Sequence, residues 1–208
     1  MPSPAVETTA SVSGLAVFGY GSLASRESAA QTLGRPVSTP QPARLRGWSR
    51  AWTLVRDNLA SEKTFARTDG SLPRFCLGLN VEPSERPTDP NGALIALSEP
   101  ELERLDLREI RYLRVDVREQ IELGDPGAAV DFDSVYVYFA RPEHQGATPP
   151  PDTILIASYL RAVESAFDEL GPGELERFRA TTHGPAAEVV EARLVDGERI
   201  PPGNPRDW

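Results

Sequence analysis

The stretch Leu15-Ala16-Val17-Phe18-Gly19-Tyr20-Gly21-Ser22-Leu23 decides how the rest of the chain is read. Leu15 to Phe18 is a short apolar run closed by glycine, the mark of a buried strand. Gly19 and Gly21 flank Tyr20, free the backbone for positive φ and let a ligand come close. Successive N–H groups in such a turn make a concave donor nest for a carboxylate or an oxyanion. A plain strand-ending turn uses the same residues. Gly19-x-Gly21-x-x-Ala24 is also a loose dinucleotide fingerprint, which would make this the first strand of a doubly wound parallel sheet. That fingerprint wants an acidic residue roughly 20 positions on, and residues 34–48 hold no Asp or Glu. A nucleophilic Ser22, as in a serine-dependent amidohydrolase, is a further reading, but Gly-Tyr-Gly-Ser-Leu is not the G-x-S-x-G elbow. The two histidines, His144 in a Gly/Pro loop and His183 before Gly184, suit surface or capping positions and are not spaced for a metal site.

Outward from this stretch, Ala43 to Val55 reads as a strand carrying Trp48 and Trp52 and bulged at Gly47. Asp57 to Leu72 is polar and loop-like. Arg74 to Val81 and Ala93 to Leu97 are strands parted by the Pro/Asp/Asn-rich turn from Glu82 to Gly92. Ser98-x-x-Glu101 is a capping box, in which each residue satisfies the other's free backbone N–H, and it opens a helix that runs to about Glu109. From Tyr112 the period becomes two, with Leu113, Val115 and Val117 on one face and Arg114, Asp116 and Arg118 on the other. A second alternating strand, Ser134 to Ala140, follows a turn at Gly124 to Gly127. Asp152 caps a helix from Thr153 to Leu170 whose apolar stripe passes through Ile156, Tyr159 or Leu160, Val163, Phe167 and Leu170 before Gly171 ends it. A short helix around Glu174–Ala180 and a strand at Glu188–Val195 precede a Pro-rich tail. Strands that regular helices do not separate rule out a doubly wound parallel sheet. The expected fold class is α+β, a mixed, mostly antiparallel curved sheet or small β-barrel with flanking helices.

At 208 residues the chain fits one domain, long enough to bury a core without disulfides or metals. The expected organisation is a disordered segment at 1–13, rich in Ser, Thr, Pro and Ala, a domain at 14–185, and a C-terminal strand and Pro-rich tail at 186–208 packed on that domain. The hydrophobic fraction of 39% and charged fraction of 25% are ordinary for a globular protein. A net charge of -9 argues against nucleic acid as a partner, while leaving room for a local basic pocket that binds a small anion. Cys76, the single cysteine, reads as a small buried hydrophobe in Phe75-Cys76-Leu77 and suits a reducing compartment. No secretion signal and no run near the roughly 20 apolar residues of a membrane span is present, so a soluble, cytoplasmic protein without a membrane partner is expected. Of 22 basic residues only Lys63 is lysine, and the Arg, Ala and Pro bias points to a GC-rich bacterial genome.

Within Leu102-Glu103-Arg104-Leu105-Asp106-Leu107-Arg108-Glu109, the residues Leu102, Leu105 and Glu109 share one helix face. Glu109 therefore extends an apolar stripe, where a carboxylate is costly unless bound or protonated. Partial burial raises a carboxyl pKa and makes it a proton shuttle near neutral pH. A salt bridge to Arg108, Arg111 or Arg114 is the alternative use of the same side chain. Glu99, Glu101 and Glu103 lie in the first turns, where the helix dipole and solvent suit them.

Two segments together resemble the signatures of a known family. Val17-Phe18-Gly19-Tyr20-Gly21-Ser22-Leu23 resembles the tyrosine-glycine-serine turn that opens the γ-glutamylcyclotransferase superfamily. Asn91-Gly92-Ala93-Leu94, followed by Leu102-x-x-Leu105-Asp106-x-x-Glu109-x-x-Tyr112, is similar to its second signature. The connecting Leu45-Arg46-Gly47-Trp48-Ser49-Arg50-Ala51-Trp52 is similar to segments of bacterial members, and the likeness covers roughly residues 15–180. Many members have glycine after the glutamate where this chain has Ile110. Leu23 in the turn is more like the glutathione-acting and bacterial branches.

The resemblance implies an intramolecular aminolysis that needs no cofactor and no metal. A small γ-glutamyl compound is the substrate, with a non-catalytic γ-glutamyl-binding or protein-binding module as the other use of the same fold. By this resemblance Glu109 is the catalytic acid/base. Tyr20, Gly21, Ser22 and Leu23 hold the substrate carboxylate or the developing oxyanion, and Tyr112 orients Glu109 or the substrate.

Overall fold

Both faces of the apolar run at Leu15 are covered, which is why it reads as continuous rather than alternating. The computed structural model describes residues 14–38, 40–124 and 130–196. The run forms β1 (Leu15–Gly19). A 3₁₀ turn (Ser22–Ala24) and α1 (Arg26–Leu33) follow, then β2 (Gln41–Leu45), β3 (Trp48–Asp57), β4 (Thr64–Arg67), β5 (Phe75–Pro83) and β6 (Asn91–Leu97). Next come α2 (Glu99–Arg108), β7 (Tyr112–Asp116), β8 (Ile121–Leu123), β9 (Ser134–Ala140) and β10 (Thr153–Ile156). The chain continues through α3 (Ala157–Leu170), α4 (Glu174–Thr181), β11 (Thr182–His183), β12 (Glu188–Val190) and β13 (Ala192–Asp196). The disorder expected at 1–13, most of the turn expected at Gly124 to Gly127, and the tail from 197 onward lie outside the described residues.

The larger sheet has the strand order β7-β9-β1-β6-β2-β8 and the second β11-β3-β5-β10-β12, while β13 pairs with β4. Antiparallel ladders are in the majority, with parallel pairing of β1 to β9, β10 to β5 and β12, and β11 to β3. The fold class is thus α+β, a mixed curved sheet system with helices at its flanks. Ala16 and Phe18 on one face of β1 pack with Trp48, Trp52, Leu77 and Leu79 of the second sheet and with Val163 and Phe167 of α3. Val17 on the other face packs with Ile95 and Leu97 and with Leu102 and Leu105 of α2, as the helix-face reading of that segment requires. Among the described residues no helix is long and apolar enough to cross a membrane.

Four local expectations are corrected. Ala43 to Val55 is two strands in different sheets, β2 and β3, and Gly47 is the corner between them rather than a bulge. It holds φ +81° while its N–H donates to Asp89 Oδ1 at 2.7 Å. The register irregularity falls inside β3, between Ala51 and Leu54. The loop expected from Asp57 to Leu72 contains β4, which needs the distant β13 as its partner. Thr153 to Ile156 is not the first turn of a helix but β10, β-branched residues paired with β5 and β12, so α3 begins at Ala157. Asp152 does not cap that helix. It sits at φ +58°, binds Arg67 Nη2 at 2.5 Å and accepts the Arg74 N–H at 2.8 Å. In β7, an edge strand, Val115 is exposed and only Val117 beyond it is buried, so the alternation there does not mark a fully covered face.

Asn91-Gly92 positions β6 against β1. A Cβ built on Gly92 would lie 2.6 Å from the Gly19 carbonyl oxygen and 2.6 Å from Phe18 Cζ. Backbone cannot yield there without parting the two strands. Gly92→Ala is therefore expected to destabilise the protein by about 1–3 kcal/mol, the usual cost of overpacking. Urea unfolding of both proteins measures it, and an unchanged midpoint would show that β6 has slack.

Candidate functional site

The end of β1, the end of α2 and the middle of the second sheet converge on a cavity of about 390 Å³, within the size range of small-molecule sites. Tyr20, Gly21, Ser22, Leu23, Glu109 and Tyr112 all line it. The sequence separates these residues by up to 92 positions, and the fold brings them onto one surface.

The turn is built by close packing, not by left-handed backbone. Neither Gly19 nor Gly21 has positive φ, which corrects that part of the sequence reading. Gly19 is needed for space, because its Cβ would lie 3.0 Å from the Leu23 carbonyl carbon and 3.1 Å from the Ala24 nitrogen. The Ala24 N–H donates to the Gly21 carbonyl at 2.9 Å and Ser25 N–H to the Ser22 carbonyl at 3.1 Å, closing the 3₁₀ turn. The earlier N–H groups, on Gly21, Ser22 and Leu23, have no backbone acceptor among the described residues, as the first donors of any helical turn lack one.

Tyr20 is buried and its hydroxyl donates to the Tyr138 carbonyl at 2.6 Å, tying the turn to β9. Its carbonyl accepts from Arg50 Nη1 at 3.2 Å. Arg50 is fully buried and lies over the rings of Phe167 and Phe178, 4.9 and 4.4 Å from their centroids. It also donates to the Asn91 carbonyl at 2.6 Å, Asn91 Oδ1 at 2.9 Å, Thr181 Oγ1 at 3.1 Å and Thr182 Oγ1 at 2.7 Å. One cation thus joins the turn, the start of β6 and the α4–β11 corner.

Glu109 is the C-cap of α2, its N–H bound to the Leu105 carbonyl at 2.8 Å. The side chain is 14% exposed and pairs with Arg108 Nε at 3.1 Å. Glu109 is thus a shielded carboxylate with an arginine partner. Arg111 and Arg114 are engaged elsewhere, with Glu62 and Asp106. Burial pushes the Glu109 carboxyl above its ordinary value, against the opposing pull of Arg108 and Arg111. Its negative charge in turn helps to raise the phenols of Tyr20, Tyr112 and Tyr159, although burial is the main cause in each. Tyr159 is pushed up to about 12. Tyr112 donates its hydroxyl to the Leu79 carbonyl at 3.0 Å, so it ties β7 to β5 while lining the cavity.

Ser22 Oγ accepts from Arg108 Nη2 at 3.2 Å. Neither histidine lines the cavity: His144 lies in a 3₁₀ turn and His183 in β11. A serine nucleophile would have no histidine base here.

Several further residues line the same surface. In the sequence Arg108 and Arg111 stand out only as ion partners of Glu109, and Tyr159 only as part of a helix stripe. Arg56, Glu62 and Tyr138 carried no local signal, because they reach the cavity through pairing of distant strands. Arg111 donates to both Glu62 oxygens, at 2.8 and 2.5 Å, and bridges the end of α2 to the segment between β3 and β4. Burial alone would raise the Glu62 carboxyl, but the Arg111 hydrogen bond and charge outweigh it and hold the group at about 2.

No family model matches the chain, and no curated protein matches it. Solved structures do. One described as a gamma-glutamyl cyclotransferase superposes with a TM-score of 0.58 at 16% identity, over 86% of this chain and 94% of that one. A yeast γ-glutamyl cyclotransferase described as specific to glutathione matches with a TM-score of 0.44 at 18% identity, over 82% and 98%. A solution structure from Arabidopsis thaliana matches with a TM-score of 0.38 at 24% identity, over 64% and 66%. The first of these likenesses establishes a fold of the γ-glutamylcyclotransferase type.

Proposed function

We propose that this protein is a γ-glutamylcyclotransferase-type enzyme, acting on a γ-glutamyl amide by intramolecular aminolysis. The observation that carries the reading is Glu109, a shielded carboxylate of raised proton affinity on the wall of the cavity that the Tyr20–Leu23 turn also lines. The substrate's α-amine attacks its own γ-carbonyl carbon. The new N–C bond closes a five-membered ring and the amide C–N bond breaks. Two protons leave the α-ammonium nitrogen in turn, one before attack and one as the ring closes; Glu109 receives each and passes it to the departing nitrogen, so 5-oxoproline and the amine, as its ammonium, leave and the carboxylate is restored. Ring closure is unimolecular, and holding the reactive rotamer supplies much of the acceleration. The Gly21, Ser22 and Leu23 N–H groups suit the substrate carboxylate or the developing oxyanion. Arg108, joined to both Ser22 and Glu109, sets the two parts of the site in register.

Purified protein is expected to release 5-oxoproline from at least one of glutathione, γ-glutamyl dipeptides and γ-glutamylamines, as followed by liquid chromatography. Silence across the panel would refute the activity. The acid limb of kcat/KM should also lie above the ordinary glutamate value of about 4.3. The base form is the active one, so rates fall as pH drops through the raised pKa of Glu109. An acid limb at an ordinary carboxylate pKa would remove Glu109 from the role of base.

A further inference from the structure

We propose that Glu62 is a positioning residue for Glu109: by holding Arg111 in a two-pronged ion pair, it keeps that cation off the carboxylate that moves the protons. This rests on the cyclotransferase reading for the role of Glu109 and adds a residue to it. The Tyr112 N–H donates to the Glu109 carbonyl at 2.9 Å, a tight turn that sets Arg111 two residues beyond the base. The Arg111 carbonyl accepts the Arg141 N–H at 2.9 Å, so the backbone is fixed there and the side chain alone has a choice of carboxylate. Glu62 and Glu109 both line the cavity that Arg111 lines. Arg111 goes to Glu62, with Nη1 on Oε1 at 2.8 Å and Nη2 on Oε2 at 2.5 Å.

The segment between β3 and β4 has no regular structure of its own around Glu62, yet it is held firmly. Arg56 Nη1 donates to Ser61 Oγ at 2.8 Å and to the Lys63 carbonyl at 2.7 Å, so one guanidinium brackets Glu62 on both sides. Asn58 is fully buried, accepts the Phe65 N–H and donates to the Phe65 carbonyl, each at 2.9 Å, which closes the loop at its base. Glu62 is therefore presented to Arg111 at little further cost in conformational freedom. A fork-to-fork pair between side chains only 16% and 18% exposed is strong and weakly screened. With its carboxyl held at about 2, Glu62 stays charged, and the pair intact, where Glu109 titrates above the ordinary glutamate value.

The other groups that face Glu109 are placed without Glu62. Arg108 of α2, 3.1 Å away, is also bonded to Thr32 Oγ1 and Ser22 Oγ. Tyr20 after β1, Tyr112 of β7 and Tyr159 of α3 are neutral phenols, because burial raises all three. Arg56 and Lys63 belong to the opposite wall of the cavity, where Arg56 holds the loop. Arg111 is thus the cation whose effect on Glu109 a second carboxylate decides. Released from Glu62, its unmatched charge would stabilise the Glu109 anion and make it a poorer base.

The experiment is an NMR titration of protein labelled at its glutamate carboxyl carbons, the Glu109 signal being identified by its loss in Glu109→Gln. Glu62→Gln should move the Glu109 midpoint down by about one pH unit or more, the effect of an opposite charge brought close. Arg111→Gln should move it up, because the Glu62 anion is then left unmatched near a second carboxylate. The double variant should return close to the parent, and Glu62→Asp, which keeps the charge, should retain most of the parent's midpoint. Opposite single shifts that cancel are the mark of a neutral pair, and a merely structural bridge would move neither. A midpoint that ignores Glu62→Gln, or that falls as far when Arg111 is absent, overturns the proposal. Should Glu62→Gln fail to fold, Arg111→Gln decides, an upward move supporting the proposal and no move overturning it. The acid limb of kcat/KM should follow the same shifts for any γ-glutamyl compound that is turned over. If none releases 5-oxoproline, the cyclotransferase reading fails, and the titration still settles whether Glu62 governs Glu109.

Discussion

Glu109→Gln is expected to lower turnover by roughly 10²–10⁴-fold, the contribution of a positioned acid/base, while the protein stays folded. Glutamine keeps the shape of the side chain and its place at the end of α2, but it cannot accept a proton from the substrate ammonium. The stability of this variant separates chemistry from structure. Because burial raises the Glu109 pKa, the folded protein binds that proton more tightly than the unfolded chain does. The group therefore stabilises the fold below its unfolded pKa, and the contribution is lost as pH rises through the folded pKa. Near neutral pH the ionised carboxylate costs more in desolvation than Arg108 and Arg111 return. A neutral isostere relieves that cost. Thermal unfolding at neutral pH should show a Tm that is unchanged or higher, alongside the lost turnover. A variant that keeps its activity would remove Glu109 from the mechanism, and one that unfolds would make it a structural residue.

Arg50→Leu should have the largest effect on stability. Leucine fills part of the space between Phe167 and Phe178, but it leaves the carbonyls of Tyr20 and Asn91 and the hydroxyls of Thr181 and Thr182 without their cationic donor. Each buried polar group left unsatisfied costs about 1–3 kcal/mol, so a loss of about 3–5 kcal/mol is expected even if some regain partners. Chemical denaturation measures it. The damage should also reach the Tyr20 turn, because the same guanidinium holds its carbonyl. A variant within 1 kcal/mol or so of the parent, a shift typical of ordinary surface changes, would mean that the corner between α4 and β11 is not fastened through Arg50.

The sequence carried the parts of this fold that depend on local chemistry. The buried strand at Leu15 is short, apolar and stopped by glycine. The capping box at Ser98 is present, with the Ser98 N–H bound to Glu101 Oε2 at 2.7 Å. Leu102, Leu105 and Glu109 share a face because a helix leaves them no other arrangement. What stayed hidden depends on partners far along the chain. Thr153 to Ile156 has an apolar pattern compatible with helix or strand, and only β5 and β12 on either side decide for strand. The four residues of β4 look like loop until β13 is beside them. Gly47 in a tryptophan-rich run fits a bulge as well as a corner, and its bond to Asp89 settles the matter.

The same division holds for the site. Glu109 and the Tyr20 turn could be read because each has a local reason to be unusual, a carboxylate on an apolar stripe and glycines that close a strand. Arg56, Glu62, Tyr138 and Tyr159 have ordinary local surroundings. Arg56 lies near the end of a long strand and Glu62 in a polar stretch, where charged residues need no explanation. Their meaning comes from the second sheet folding over the first.

The position of Glu109 at the last place of α2 has one more effect. The carbonyl dipoles of that helix add up along its axis and leave partial negative charge at the end where this side chain begins. An anion at that end is disfavoured, in the same direction as burial. The peptide units that aim the carboxylate at the cavity therefore also strengthen its hold on a proton. Shortening or fraying the last turn of α2 would displace the carboxylate and lower its proton affinity together.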